Sequence, residues 1–507
     1  MSFMERVRAG AFWSLGGNLA STLGSFAGGV ILARILDPTD FGAFLSITVF
    51  TSTLTMLSKF GLPQALMQAK AVREEQVDAA FLWVTLTSAG GWLLLNLGAA
   101  ELASAFGARE IETAVRIMSL VLLVNPFETI AIALLRREMR FDAVTKVEIS
   151  ALIVSLVVSI STALGGFGVI SLALGTVSGA AATMIAALKQ VSWRPRLRRI
   201  GYVFPLLRFS GLVTLNNTII VFTNRVDNML VGLLSSLGQL GLYGRAFSLA
   251  RIPVDQLGQT LGPLMLRSFS TLRDDIFESR ELYLKALTTL SLLIFPFLAV
   301  LLVSGKELLV MVYGEKWGEG GVALAPLTVA GMFTLVYTKT RALVTAQGFV
   351  GRLLQVHLAG LLATVVLVAA AAPMGLFALG CAIAVREAFL VVMVVRLSQQ
   401  RGLGVTPRLV QFALMPALVA WLLAVVMALL ALEVSADWRP DLVENGMGRL
   451  ILGIVVTLTC YSGVALGLGL GWKSHRYLMS AQGQIFGVVA LLLRKARVMR
   501  DLPAERG

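Results

Sequence analysis

The chain has 507 residues, of which 57% are hydrophobic and only 14% are charged, and its mean hydropathy is +0.82. A water-soluble domain carries about 25% charged residues, so this composition excludes an ordinary soluble protein. The net charge of +14 would suit a nucleic-acid-binding protein, but the basic residues lie in alternate loops between apolar stretches. That placement is typical of membrane topology and excludes a nucleic-acid footprint.

Fourteen apolar stretches are long enough to cross a bilayer, which needs about 20 residues. Because backbone polar groups in lipid must bond within their own segment, each stretch is predicted to be a helix. In chain order the predicted spans are 12–34, 41–64, 79–104, 114–135, 148–166, 168–190, 208–232, 239–265, 284–305, 322–346, 353–372, 374–397, 410–432 and 448–471. The sequence therefore predicts an all-α polytopic membrane protein.

The loops alternate between strongly basic and acidic, neutral or mixed. Residues 194–199 hold four arginines, whereas residues 37–40 hold two aspartates and residues 433–444 are mostly acidic. Because Lys and Arg are retained on the cytoplasmic side, both termini are predicted to be cytoplasmic. The apolar run 485–493 is too short to cross and ends in basic residues, which predicts an interfacial segment at anionic headgroups.

A repeat at an offset of about 200 residues suggests the domain organisation. Pro63 ends the second span as Pro263 ends the eighth, and each half begins inside and has six spans. We predict a first lobe over residues 1–200 and a second over 201–405, related by a parallel repeat. Residues 406–507 then hold two extra helices and a basic tail.

No motif for catalysis, metal binding or nucleotide hydrolysis emerges. The Walker-like string 467–474 has Trp472 where the second glycine is required, and its glycines suit helix packing. His357 and His475 lack partners at metal or triad spacing, and both cysteines fall inside spans. No loop is long enough for an outside catalytic domain. We therefore expect no enzyme activity, no metal and no cofactor.

Charged residues inside the spans carry the functional argument, because a charge at mid-bilayer costs at least a few kcal/mol unless it faces water or a partner. They are Arg34, Lys59, Glu128, Arg225, Asp227, Arg245, Arg251, Asp255, Lys339, Arg341, Arg386 and Glu387. Basic residues outnumber acidic ones, which favours a cavity that attracts an anionic substrate.

Some of these charges have structural alternatives. Arg34 lies near an outer helix end, where its side chain could equally reach the headgroups. Arg251 and Asp255 are four residues apart and are expected to pair. Glu128 follows Pro126, where a broken helix would expose backbone to a cavity and make Glu128 a proton or sodium site.

Several strings resemble those of Wzx-type polysaccharide flippases. Residues 30–42 (VILARILDPTDFG) resemble the first-helix signature of that family, and residues 61–66 resemble the segment that follows. Residues 224–227 and 240–243 resemble the opening of its second half. Residues 314–317 (GEKW) are similar to its outside turn before the tenth helix. The resemblance covers roughly residues 1–400.

The resemblance implies a member of the multidrug/oligosaccharidyl-lipid/polysaccharide exporter superfamily in a bacterial inner membrane. It would move undecaprenyl-diphosphate-linked oligosaccharides between leaflets by alternating access, for exopolysaccharide, capsule or O-antigen synthesis. The implied residues divide into a substrate-binding set and a set for gating or ion coupling. The first is Arg34, Arg225, Arg245, Arg341 and Arg386, and the second is Asp227, Glu128 and Glu387.

The implied partners are the lipid-linked oligosaccharide, membrane lipids, and a polymerase and chain-length proteins of the pathway. A multidrug antiporter and a peptidoglycan-precursor flippase of the same fold are the alternatives, and an export scaffold is a further one. A membrane-embedded polymerase or acyltransferase is disfavoured by the missing catalytic groups. The glycine-rich first helix (Gly16, Gly17, Gly24, Gly28 and Gly29) is expected to permit close packing and bending.

Overall fold

The computed structural model describes residues 3–69, 72–196, 199–207, 219–220, 222–223, 225–438 and 446–471. These residues divide into two compact units. Unit 1 contains the described residues of 1–246 together with 309–320 and 357–382. Unit 2 contains 247–308, 321–356 and the described residues from 383 onwards. The predicted lobe boundaries after residues 200 and 405 stay a prediction.

The described residues are helical and contain no strand. The α-helices are α1 (Phe3–Ile35), α2 (Pro38–Lys59), α3 (Leu62–Gln68), α4 (Glu74–Leu97), α5 (Ala99–Ala105), α6 (Glu110–Arg137), α7 (Phe141–Leu164), α8 (Val169–Gln190), α9 (Val226–Leu234), α10 (Leu237–Thr271), α11 (Ile276–Tyr313), α12 (Leu324–Ala346), α13 (Val350–Ala371), α14 (Leu376–Gln400), α15 (Pro407–Trp438) and α16 (Gly446–Gly471). Short 3₁₀ segments cover Ile200–Val203, Glu315–Ala323 and Ala372–Met374. The predicted all-α polytopic class is therefore confirmed.

Eleven spans among the described residues are long and apolar enough to cross a membrane. The other three predicted spans are the one in α1, the one at 208–232 and the one in α10, which carries Arg245, Arg251 and Asp255. The count of fourteen and the cytoplasmic termini stay predictions. Residues 208–218 of the seventh span, Asn224, His475 and the predicted interfacial segment 485–493 lie outside the described residues.

Helix ends in unit 1 follow local chemistry. Pro38 opens α2 because its missing N–H needs no helical partner, and the Asp37 N–H donates to the Asp40 carboxylate at 3.1 Å. At the other end, Phe60 and Gly61 have φ of 42° and 67°, and this left-handed pair ends α2 before α3 begins. The predicted span 41–64 is thus a helix with a sharp break near its C-terminal end.

Small residues bring the helices of unit 1 together. Along α1, Gly17, Gly24 and Gly28 face α7, and a Cβ at any of them would overlap a side chain. The partners on α7 are Thr145, Leu152 and Leu156. Between lipid-exposed helices the attraction is mainly close packing, so glycines that admit a neighbour stabilise the pair. The predicted close packing of the glycine-rich helix is found at these three positions.

In unit 2, α15 and α16 pack against one another beside α11. Their apolar contact includes Ala299 and Val303 of α11 with Ala428 and Leu432 of α15. Near it, Tyr461 of α16 donates its hydroxyl proton to the Leu292 carbonyl at 3.3 Å. The last two predicted spans therefore pack within this unit.

Candidate functional site

One group of charged and aromatic side chains, the outer cluster, lies in unit 1 around the turn between α1 and α2. Its members are Arg34, Asp37, Phe41, Arg245, Tyr313, Lys316 and Trp317. Arg34 is exposed, and its Nη2 and Nε donate to the carbonyls of Met311 and Val312 at 2.5 and 3.2 Å. Its guanidinium therefore joins the end of α1 to the end of α11.

Trp317 is fully buried and fixes the same region from the other side. Its Nε1 donates to the Ala33 carbonyl at 2.8 Å, and its ring meets the edge of Phe41 with centroids 5.4 Å apart. Beside it, Lys316 Nζ lies 3.2 Å from Asp37 Oδ1 in a largely exposed ion pair. The two residues bind the α1–α2 turn through one buried contact and one exposed contact.

Arg245 of α10 is held mainly by aromatic rings. Its guanidinium carbon lies 3.9 Å from the centroid of Phe41, 5.4 Å from that of Tyr313 and 5.9 Å from that of Trp317. Its buried Nε has no hydrogen-bond partner among the described residues. Stacking on ring faces, rather than pairing with a carboxylate, stabilises this cation.

Asp227 lies at the start of α9 and is 2% exposed. Its carboxylate accepts the hydroxyl proton of Tyr243 at 3.0 Å and the backbone N–H of Asn228 at 2.9 Å. The half-buried Arg225 interacts electrostatically with the same carboxylate. Asp227 therefore joins α9 to α10 within unit 1.

A second group, the buried ionic cluster, lies in unit 2 where α10, α12 and α14 carry charges. Its members are Arg251, Asp255, Lys339, Arg341, Arg386 and Glu387. Arg251 donates to both oxygens of Asp255 at 3.1 and 3.2 Å, as the spacing of four predicted. Its Nη1 also lies 4.0 Å from Glu387.

Arg386 and Glu387 are almost fully buried, with 4% and 2% of their side chains exposed, and they are hydrogen-bonded to each other. Glu387 Oε2 has no hydrogen-bond partner among the described residues. Tyr337 lies within electrostatic range of both residues, and Arg341 stacks on its ring at 5.7 Å. With four basic and two acidic side chains, the cluster has a formal charge of +2.

A third polar group lies in unit 1 between α2, α4 and α6. Lys59 Nζ is 3.6 Å from Glu128 Oε1, and both side chains are partly exposed. Helix α6 runs unbroken across Pro126, so the predicted helix break before Glu128 is wrong. Glu128 has a cation beside it instead, and water or a ligand can reach both partners.

The structure also shows polar contacts that the sequence did not predict. The fully buried Asn125 donates to the hydroxyls of Ser58 and Ser88 at 2.9 and 3.1 Å and accepts a hydrogen bond from Thr129 at 3.0 Å. A lone Asn in an apolar span was a usable signal. No sequence signal pointed to the contacts of Tyr337 or of the aromatic residues in the outer cluster, because their partners are distant in sequence.

The fold is similar to that of two solved polytopic membrane proteins. A structure of the lipid II flippase MurJ in an inward closed conformation matches with a TM-score of 0.68 at 13% identity, covering 89% of this chain and 98% of MurJ. An inward-facing multidrug resistance MATE transporter matches with a TM-score of 0.61 at 15% identity, covering 78% of this chain and 99% of that one. At these identities the likeness concerns the fold alone.

A family model described as polysaccharide biosynthesis protein matches residues 31–320. The chain belongs to this family, and the resemblance to Wzx-type flippases is confirmed. It is 23% identical to the lipopolysaccharide biosynthesis protein WzxC of Escherichia coli (strain K12) over 68% of this chain and 71% of WzxC. It is 27% identical to the succinoglycan biosynthesis transport protein ExoT of Rhizobium meliloti (strain 1021), over 59% of this chain and 61% of ExoT.

Proposed function

We propose that this protein carries a polyprenyl-diphosphate-linked oligosaccharide from the inner to the outer leaflet of a bacterial inner membrane. WzxC and ExoT are named for the synthesis of lipopolysaccharide and succinoglycan, and a similar protein of Bacillus subtilis (strain 168), TuaB, is named for teichuronic acid. These polymers differ, so the shared step is handling of a lipid-linked saccharide.

The observation that carries the proposal is the buried ionic cluster of unit 2. A buried cation is retained only where a partner or a function offsets its desolvation. The formal charge of +2 leaves the cluster complementary to a diphosphate esterified at both ends, which carries two negative charges. A cationic drug would meet the wrong sign of charge here, which disfavours the multidrug antiporter.

Arginine suits this substrate because its planar guanidinium presents two parallel donors to phosphate oxygens. In the cluster, Arg341 contacts a tyrosine ring, and its donors can turn to a phosphate without breaking an ion pair. Arg386 and Arg251 already share Glu387, so an arriving phosphate competes with that carboxylate. Glu387 then gives up an arginine when substrate enters.

We assign ion coupling to two carboxylates. Glu387 has a buried oxygen without a hydrogen-bond partner among the described residues and pairs with Arg386 and Arg251, so we assign ion coupling to it. Glu128 stands in the same relation to Lys59 in unit 1, with partial exposure that admits an ion. Asp227, which is hydrogen-bonded to Tyr243, acts in gating by holding α9.

The remaining assignments extend this proposal. Arg225 is half-exposed and contacts the substrate anion beside Asp227. The sequence also predicts substrate contact for Arg34 and Arg245, whose side chains contact carbonyls and aromatic rings in this conformation. The protein acts as a transporter without enzymatic activity of its own, and a polymerase and chain-length proteins use the saccharide that it delivers.

Deletion of the gene tests the proposal through the pool of lipid-linked sugars. We expect undecaprenyl-diphosphate-linked repeat units to accumulate on the inner leaflet while the surface polymer disappears. Accumulation of a peptidoglycan precursor instead would favour the alternative flippase. Unchanged lipid-linked pools with greater sensitivity to cationic drugs would overturn the proposal and favour the antiporter.

A variant pair then tests the site. Arg341→Gln keeps hydrogen-bonding groups but removes the charge, and we expect surface polymer to fall at least tenfold, equivalent to about 1.4 kcal/mol. Arg341→Lys keeps the charge and should recover only part of the activity, since the planar donor pair is lost. The control is Arg352→Gln on α13, whose side chain is exposed and contacts Gln355. Equal activity in all three variants would remove Arg341 from the site.

A further inference from the structure

Three segments that the charge pattern places on the outer side meet in unit 1. They are the turn between α1 and α2, the first turns of α10, and the end of α11 with the 3₁₀ segment after it. The sequence assigns the first segment to one predicted lobe and the other two to the second predicted lobe. The outer cluster therefore joins parts of the chain that alternating access must separate.

The closest approach is between backbones and depends on two glycines. A Cβ at Gly42 of α2 would overlap the Leu237 carbonyl, and a Cβ at Gly241 of α10 would overlap the Pro38 carbonyl. In both cases the obstacle is main chain, which cannot move aside as a side chain end would. The two helix starts can touch only because neither position has a side chain.

The other contacts between these segments are weak one by one. Arg34 donates to carbonyls at an exposed rim, and the pair of Lys316 with Asp37 is largely exposed, so water can replace both interactions. Arg245 stacks on rings, a contact that is easier to separate than a buried ion pair. Together these contacts hold the three segments against one another, but the free energy needed to separate the segments stays low.

We propose that these three segments form the outer gate of the transport path, closed in this conformation and opening to release substrate into the outer leaflet. The inference rests on the proposed function for what passes through the gate. It deepens that function by assigning Arg34 and Arg245 to closure, with Gly42 and Gly241 as the positions at which the two helices meet. Opening breaks the ring contacts of Arg245 and the carbonyl contacts of Arg34.

The first test introduces a side chain at the backbone contact. Gly241→Val should prevent full closure. The matched control is Gly258→Val in the same helix, where no atom of the described residues outside that helix turn lies within 4 Å of an added Cβ. The reporter is Ser46→Cys, a fully buried position on α2 whose hydroxyl faces Gly232 of α9. Cys381→Ala and Cys460→Ala remove the native thiols.

A membrane-impermeant maleimide is added to intact spheroplasts, and the rate of labelling at position 46 is measured. We expect Gly241→Val to raise this rate about tenfold or more, whereas Gly258→Val leaves it unchanged. An unchanged rate in properly inserted Gly241→Val protein would overturn the gate. Faster labelling in both variants would also overturn it, because the effect would then come from valine in the helix.

The second test keeps the gate shut and does not depend on a clash. Asp37→Cys with Lys316→Cys places two thiols across the gate, where a bifunctional methanethiosulfonate joins them and a reductant releases them. The control joins Glu112→Cys to Arg116→Cys, an exposed pair within α6 whose side chains lie 2.8 Å apart. We expect surface polymer synthesis to stop in the first protein, resume on reduction, and continue in the control.

Continued polymer synthesis in protein crosslinked between positions 37 and 316 would overturn the inference. The labelling test needs no substrate and can be repeated in cells that make no lipid-linked sugar. If labelling responds there while the lipid-linked pools of the deletion strain are normal, the gate is supported and the proposed cargo is wrong.

Discussion

In the outer cluster of unit 1, two arginines contact uncharged partners: Arg34 donates to main-chain carbonyls, and Arg245 stacks on aromatic rings. In the buried ionic cluster of unit 2, Arg251 and Arg386 contact carboxylates. In the first arrangement, neither arginine forms an ion pair with a carboxylate among the described residues. The second contains carboxylates that an anionic ligand can replace.

We propose that this difference separates gate closure, in the outer cluster, from substrate binding, in the buried ionic cluster. Carbonyls and rings belong to fixed backbone and packed side chains, so they hold an arginine in one conformation of the protein. They release the arginine when the segments that carry the outer cluster move apart. Carboxylates compete with phosphate for the same donors and can change partner without a change in the fold. On this proposal, arginines in the two clusters have different roles, and the chemistry of their neighbours decides which role each one has.

The largest effect is expected in the buried ionic cluster. Arg386→Met leaves the Glu387 carboxylate almost fully buried without its hydrogen-bonded arginine. Removing one partner of a buried pair costs about 3–5 kcal/mol. Unfolding in mixed detergent micelles should show this loss, and surface polymer should disappear.

The matched variant is Arg386→Met combined with Glu387→Gln, which removes both charges. We expect most of the stability to return while transport stays absent, because the phosphate-binding donors of Arg386 are gone. If the double variant transports normally, the pair is structural and the contrast with the outer cluster loses its functional meaning.

A smaller effect is expected for Arg245→Met, which keeps an unbranched apolar chain between the rings but removes the cation. The lost cation–π contacts are worth up to about 2 kcal/mol when desolvated. Labelling of the Ser46→Cys reporter should rise even in cells that make no lipid-linked sugar. Labelling at the parental rate with lost transport would instead make Arg245 a substrate ligand, as the sequence predicted.

Much of the fold was predictable from the sequence. The apolar runs marked helices α4, α6 to α8 and α11 to α16 to within several residues, because length and composition decide which segments can cross lipid. The single predicted span 79–104 is divided between two helices, α4 and α5. The pairing of Arg251 with Asp255 was also predictable, since a spacing of four sets their distance within one helix. Local rules were sufficient in these cases.

Which partners each charged residue contacts was not predictable in the same way. Arg34 contacts residues 277 and 278 positions away, and no local rule relates positions so distant. The prediction of a helix break at Pro126 was wrong because α6 continues through it, which left Glu128 facing Lys59. The sequence identified the charges inside the spans, but their partners came only from the fold.

Trp317→Phe tests the buried hydrogen bond of Trp317 separately from the packing of its ring. The ring of phenylalanine still meets Phe41, but the hydrogen bond from Nε1 to the Ala33 carbonyl is lost. We expect a loss of about 1 kcal/mol in the free energy of unfolding. A loss as large as that of Trp317→Ala would show that shape, not the hydrogen bond, holds the α1–α2 turn.

The smallest effect is expected for Lys316→Met at the exposed rim. Its pair with Asp37 is largely exposed, and such pairs contribute about 0–1 kcal/mol because water and salt screen them. Unfolding should change little, while labelling of the Ser46→Cys reporter rises modestly and added salt raises labelling of the parent but not of the variant. A salt response of equal size in both proteins would show that this ion pair takes no part in closure. The outer cluster would then be held by its aromatic and carbonyl contacts, which salt does not screen.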